Sequence, residues 1–212
     1  MRSTRYLTAV VGLLALSMGA CGSDDDGGTQ PGVVTLAAVV VSNPTVALQA
    51  GQRQAITALG VGTGSASLSD VTFTYSSATP AVAVVSSTGS ITAFTAGTSV
   101  ITVTGAKGGV TKSTNVTVTV TGTLPAALTV VSGATSNDFT PAFAVVQRGG
   151  TVTWTFTGRT HNTTFAGTAG APANIPNTGN QPVGIPRTFA TAGTYDYNCT
   201  LHAGMVGTVV VP

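Results

Sequence analysis

The 212-residue chain carries eight Lys and Arg, six Asp and no Glu, so that 7% of its residues are charged and its formal net charge is +2. This excludes a basic patch with interleaved aromatics, and with it a nucleic-acid partner, and it offers little field for steering a highly charged one. Thr, Val, Ala and Gly dominate, with no long stretch of helical apolar period, so the chain is expected to be all-β.

Residues 1–20 read as a leader. Arg2 and Arg5 form a positive start, and Leu7 to Leu16 make an apolar run too short to span a bilayer. Met18-Gly19-Ala20-Cys21 resembles a bacterial lipoprotein lipobox, the alternative being an ordinary cleaved secretory peptide that contains a Cys. The resemblance implies cleavage before Cys21, lipid on its sulfur and attachment to a membrane through that lipid. The expected location is that of an exported bacterial lipoprotein, on the periplasmic side of the outer membrane or at the cell surface. Residues 21–32 are Gly- and Asp-rich without an apolar anchor and read as a flexible tether. Losing Arg2 and Arg5 with the leader leaves six basic against six acidic residues, a formal charge of zero.

The remaining residues suit one large or two small domains. In residues 33–121, Val34 to Val41 is strand-like, Pro44 and Gly51 mark turns, and Val71, Phe73 and Tyr75 alternate with Thr72 and Thr74. The alternating run Asn115 to Val120 closes the segment. Ser76-Ser77 with Pro80-Ala81-Val82-Ala83, then Gly89, then Ala96-Gly97-Thr98 resemble the group 2 bacterial immunoglobulin-like domain. Tyr75 stands where that family often has Trp. The resemblance implies a β-sandwich acting as a spacer or binding module, and no residue here reads as catalytic.

Thr123-Leu124-Pro125 is a short hinge to a second domain, residues 126–212. Leu128 to Val131 suggests a first strand. Phe139 to Gln147 and Thr151 to Phe156, joined by Arg148-Gly149-Gly150, suggest a hairpin. His161 to Phe165, Arg187 to Ala190, Gly193 to Cys199 and Val206 to Val211 suggest further strands. Between Gly167 and Ile185 lies a loop rich in Gly, Pro and Asn, long enough to be functional or mobile.

This domain holds most of the metal-ligand chemistry. Cys199, His202 and Met205 fall within seven residues, and His161 is the only other His. A thiolate, two imidazoles and a thioether are the ligand set of a blue-copper electron-transfer site. Zinc is the competing metal, although a thioether is not among its usual ligands. With Cys21 lipidated, Cys199 has no disulfide partner in an oxidising compartment, which leaves metal ligation or inert burial. Trp154, Tyr195 and Tyr197 read as packing residues.

Phe139-Thr140-Pro141, Gly150-Thr151-Val152-Thr153-Trp154, Thr160-His161-Asn162 and Gly193 to Gly207 together resemble the cupredoxins, the plastocyanin and amicyanin group in particular. The resemblance implies a Greek-key β-sandwich and one mononuclear type 1 copper. The metal ligands it implies are His161, Cys199, His202 and Met205, supported by hydrogen bonds from Asn162. The spacing of two residues from Cys to His and two from His to Met is the short amicyanin kind. The expected whole is two tandem β-sandwiches carrying single electrons at a membrane. Redox proteins, such as a cytochrome or an oxidoreductase, would be met through the exposed edge of His202 with Ala203 and Gly204. Two alternatives stand beside it: a cell-surface binding lipoprotein whose copper domain stores or delivers the metal, and a fold of this kind that holds no copper in the cell. No enzyme is expected. Gly-x-Ser-x-Gly, the P-loop and Gly-x-Gly-x-x-Gly are absent, and both His are committed.

Overall fold

The computed structural model describes residues 34–133 and 135–212. The leader, Cys21 and the tether therefore lie outside the described residues. In chain order the strands are β1 (Leu36–Val41), β2 (Thr45–Gln49), β3 (Arg53–Ala55), β4 (Ala58–Gly62), β5 (Ser67–Leu68), β6 (Thr72–Ser77), β7 (Ala83–Val85), β8 (Ser90–Ala93), β9 (Gly97–Lys107) and β10 (Val110–Thr121). They continue with β11 (Ala127–Ser132), β12 (Phe139–Thr140), β13 (Phe143–Val145), β14 (Gly150–Phe156), β15 (His161–Phe165), β16 (Ile175–Thr178), β17 (Gln181–Phe189), β18 (Gly193–Asn198) and β19 (Val206–Val211). The only other element among the described residues is a 3-10 turn at Thr63–Ser65, and none of their helices could cross a membrane. The chain is all-β, with two sandwiches in series, as expected.

Strands β1 to β10 pair only among themselves, in sheets ordered β1-β4-β5, β2-β10-β9-β6 and β3-β8-β7. The long β9–β10 hairpin turns at Gly108 and Gly109, both at positive φ (55° and 79°), a conformation that glycine reaches without a steric penalty. Along β10 the period-2 pattern sends Val116, Val118 and Val120 inward and Thr117, Thr119 and Thr121 outward. The inward set packs with Ile91, Ile101 and Val103 in a shared core.

Strands β11 to β19 form two further sheets, β12-β11-β14-β17 and β13-β19-β18-β15-β16. Their inner faces meet on a second core. Val152, Trp154 and Phe156 alternate inward from β14, Tyr195 and Tyr197 from β18, and Val209 and Val211 from β19. Trp154 stands edge-on to Tyr197, with ring centroids 5.3 Å apart at 89°, and edge-on to Phe165 at 5.9 Å. The reading of Trp154, Tyr195 and Tyr197 as packing residues holds.

Two local expectations need correction. The hairpin between Phe139–Gln147 and Thr151–Phe156 does not form. Instead β12 pairs with β11, and β13 pairs in parallel with β19 in the opposite sheet. Pro141, lacking an N–H, ends β12, and Ala144, Val145 and Val146 are all buried, so this run does not alternate as a hairpin arm would. The loop from Gly167 to Ile185 is also partly ordered, since it contains β16 and the start of β17.

The register fixes the poles of this sandwich. Ala127 opposes Thr151 at the start of β14, Gly150 opposes Phe189, and Gly193 opposes Val211. The chain thus enters along β11 and leaves along β19 at one pole. The end of β14, the start of β15 and the β18–β19 connection share the other pole.

Candidate metal centre

His161 is the first residue of β15, reached from β14 by the turn at residues 157–160, and it is fully buried. Cys199 follows β18 directly, and six residues later Met205 leads into β19. The intervening loop closes on itself. The Cys199 N–H donates to the Met205 carbonyl at 3.0 Å, and the Met205 N–H donates to the His202 carbonyl at 3.3 Å. Gly204 turns the chain at φ +79°, a left-handed conformation that disfavours a side chain.

Three of the four sequence-predicted ligand side chains, His161, Cys199 and His202, come together here. The Cys199 sulfur lies 3.5 Å from His202 Nδ1 and 3.9 Å from His161 Nδ1. The three ligand atoms all fall within 4.8 Å of one another. The two imidazole centroids are 4.7 Å apart. Cys199 is a free, buried thiol, and Met205 is buried in the same core. His202 is half-exposed, the one ring of the pair with an edge toward solvent.

The arrangement fits a single soft-to-borderline metal ion. With metal–nitrogen and metal–sulfur bonds of roughly 2.0–2.3 Å, donor atoms around a trigonal plane stand roughly 3.5–3.8 Å apart, close to the two separations seen. Burial, together with the neighbouring His202 and Arg159, pushes the His161 pKa below its ordinary value, against a smaller opposing effect from the Gly133 backbone. A neutral imidazole is the form that ligates a metal. His161 Nε2 finds no hydrogen-bond partner among the described residues.

Asn162 lies beside this group with its side chain nearly buried. Its Oδ1 accepts from the Thr200 N–H at 2.8 Å, and its Nδ2 donates to Thr200 Oγ1 at 2.7 Å and to Asn177 Oδ1 at 2.8 Å. The strand that carries His161 is thereby tied to the residue after Cys199. Sequence reasoning found Asn162 but not Thr200 or Asn177. Thr200 lies inside the Cys-to-Met cluster with nothing to mark it, and Asn177 was visible only as part of an Asn-rich loop.

Residues 126–212 match the model of the copper binding proteins of the plastocyanin/azurin family. These residues form a copper-binding domain of the plastocyanin/azurin family. The match covers the sandwich that carries His161, Cys199, His202 and Met205, and copper is accordingly its cofactor. Membership supports a copper-binding electron-transfer function. Similar solved structures include a reduced Cu(I) amicyanin variant at pH 4, 36% identical, covering 41% of this chain and 82% of that chain with a TM-score of 0.36. An oxidized amicyanin variant is 34% identical, covering 42% of this chain and 84% of that one, also with a TM-score of 0.36. A mutant fern plastocyanin is 28% identical over 40% of this chain and all of its own length, with a TM-score of 0.36. No curated protein sequence matches the chain.

Proposed function

We infer that this protein is a membrane-tethered blue-copper carrier of single electrons, with His161, Cys199, His202 and Met205 as the ligands of one mononuclear type 1 copper. The observation that carries the ligand assignment is the convergence of the Cys199 sulfur with two Nδ1 atoms, at 3.5 and 3.9 Å, inside a domain of the plastocyanin/azurin family. Copper, when bound, supplies a one-electron couple. Cys199 and the two imidazoles would hold the ion as strong donors, and Met205 would supply a weaker thioether that tunes the potential. The sheets hold these groups in place, because His161, Cys199 and Met205 are anchored where strands begin or end and His202 sits on the closed loop between β18 and β19. Buried aromatic neighbours such as Phe156, whose ring centroid is 5.9 Å from that of His161, keep water from the inner side.

Electrons would pass through the half-exposed edge of His202, bordered by Leu201, Ala203 and Gly204. A small, weakly charged contact of this kind suits a transient encounter with a redox protein such as a cytochrome or an oxidoreductase. No catalytic step is assigned. The first sandwich serves as an immunoglobulin-like spacer. In support, β1 pairs with β4 in one sheet while β2 pairs in parallel with β10 in another, so the opening segment switches sheets. Lipid on Cys21, at the end of the leader, would tether the protein as an exported lipoprotein on the periplasmic side of the outer membrane or at the cell surface.

The test is to add Cu(II) to the purified chain, record visible and EPR spectra, and cycle it with a mild reductant. An intense blue band that bleaches and returns is expected. Copper that binds without that band, or that leaves on reduction, would refute electron carriage and favour storage or delivery. Mass spectrometry of the protein from its bacterial membrane, showing diacylglycerol on Cys21, checks the tether.

A further inference from the structure

The long connection from β15 to β17 touches the metal centre at two places: Thr178 pairs with His161 and its Oγ1 donates to the His161 carbonyl at 3.5 Å, and Asn177 meets Asn162 through a hydrogen bond whose polarity is fixed. The backbone N–H of Thr200 can only donate, so Asn162 must turn Oδ1 toward it, at 2.8 Å. That places Nδ2 on the other side, with one hydrogen directed to Thr200 Oγ1 at 2.7 Å and the second to Asn177 at 2.8 Å. Asn177 must therefore present its oxygen. Both donor hydrogens of Asn162 are used, and no second orientation of its amide keeps all three bonds.

The backbone is built to aim Asn177 this way. Thr178 opposes His161 and Ile175 opposes Thr163, so Pro176 and Asn177 together face Asn162 alone. Two residues against one is a β-bulge, a device that redirects a side chain. The segment before the bulge is pinned independently. Phe165 donates its N–H to Asn174 Oδ1 at 2.9 Å, and the Arg187 guanidinium donates to the carbonyls of Ala173 and Asn174 at 2.7 and 2.9 Å.

We propose that Asn177 is a positioning residue for the copper site: by accepting from Asn162 it fixes Thr200, and through Thr200 the placement of Cys199 relative to His161. The proposal rests on the four-ligand reading above. It makes the acceptor oxygen at position 177, not the mere presence of the covering loop, the feature that matters.

The experiment uses the full-length, copper-loaded chain and four variants. Asn177→Ala and Asn177→Lys remove the acceptor, Asn177→Asp keeps it, and Asn174→Ala loosens the loop without touching Asn162. The readouts are the Cu(II) EPR spectrum and the rate of copper loss to an excess of chelator. Both acceptor-less variants are expected to show an altered EPR spectrum and copper loss about fivefold faster, the effect of one ordinary hydrogen bond. Asn177→Asp and Asn174→Ala are expected to keep the wild-type spectrum. Unchanged spectra and rates in Asn177→Ala and Asn177→Lys overturn the proposal alone, as does an Asn174→Ala spectrum that matches theirs. A wild-type chain without an intense visible band overturns the four-ligand reading, and this proposal with it.

Discussion

Replacing Gly207 by Ala should destabilise the copper domain before any metal is added. Gly207 opposes Tyr197 across the β18–β19 ladder, and a Cβ built on it would lie under 3.0 Å from Cζ, Oη and Cε2 of the tyrosine ring. The backbone itself would accept Ala, since Gly207 is not among the positive-φ glycines. The penalty is therefore steric. The ring cannot step aside, because Phe139 stands 4.9 Å away on centroids, Trp154 5.3 Å and Phe165 5.9 Å, all in a fully buried core. Overpacking of this kind costs about 1–3 kcal/mol, and a ring hemmed in by three aromatics belongs near the upper end, about 2–3 kcal/mol. For a domain of this size, with each kcal/mol worth about 4–8 °C, the melting temperature should fall by roughly 8–24 °C. The chain has one Trp, Trp154, buried in this domain, so its fluorescence reports thermal unfolding here without interference from the first sandwich. A melting temperature within about 2 °C of wild type would show that the tyrosine ring does not lie across Gly207, and the packing argument would fall.

Three further outcomes follow from the same geometry. Cys199→Ser should abolish the intense visible band while leaving the apo fold intact by Trp154 fluorescence, because a hydroxyl cannot replace the thiolate; a variant that keeps the band overturns the ligand assignment. Copper added at about 1,000 times its Kd should stabilise the second domain by about 4 kcal/mol, read as a rise in its urea midpoint that a chelator reverses; no rise would mean that the folded site has no preference for the metal. Burial pushes the Tyr197 pKa well above its ordinary value of 10.0, partly offset by the nearby Trp154 indole. The folded state therefore resists an ionisation that the unfolded chain undergoes. The stabilisation is complete below pH 10 and is lost as pH climbs beyond it, by up to about 1.4 kcal/mol per pH unit. The urea midpoint should drop above pH 10 in the wild type and drop less in Tyr197→Phe; equal slopes would remove Tyr197 as the cause.

How much of this was legible in the sequence depended on how local the signal was. Cys199, His202 and Met205 lie within one loop, so their shared chemistry could be read from spacing alone. His161 is 38 residues from Cys199, and only the rarity of His and the resemblance of its surroundings joined the two. Strands with one buried face, such as β10 and β18, declared themselves by alternation. The stretch from Phe139 to Gln147 did not, because it changes sheets at Pro141 and buries consecutive residues, which defeats a period-2 reading. Asn177 was beyond reach, since a bulge that points one asparagine at another leaves no trace in composition.

The two poles of the second sandwich bear on how this protein could be handled. Entry along β11 and exit along β19 share one pole, while Cys199 caps the far end of β18, six residues and about 20 Å away. A label, a bead or an electrode linker attached beyond Val211 would hold the redox centre outward, with His202 facing the solution. Immobilised in that sense, the protein should still exchange electrons with dissolved partners while having only slow direct conduction to the surface that carries it.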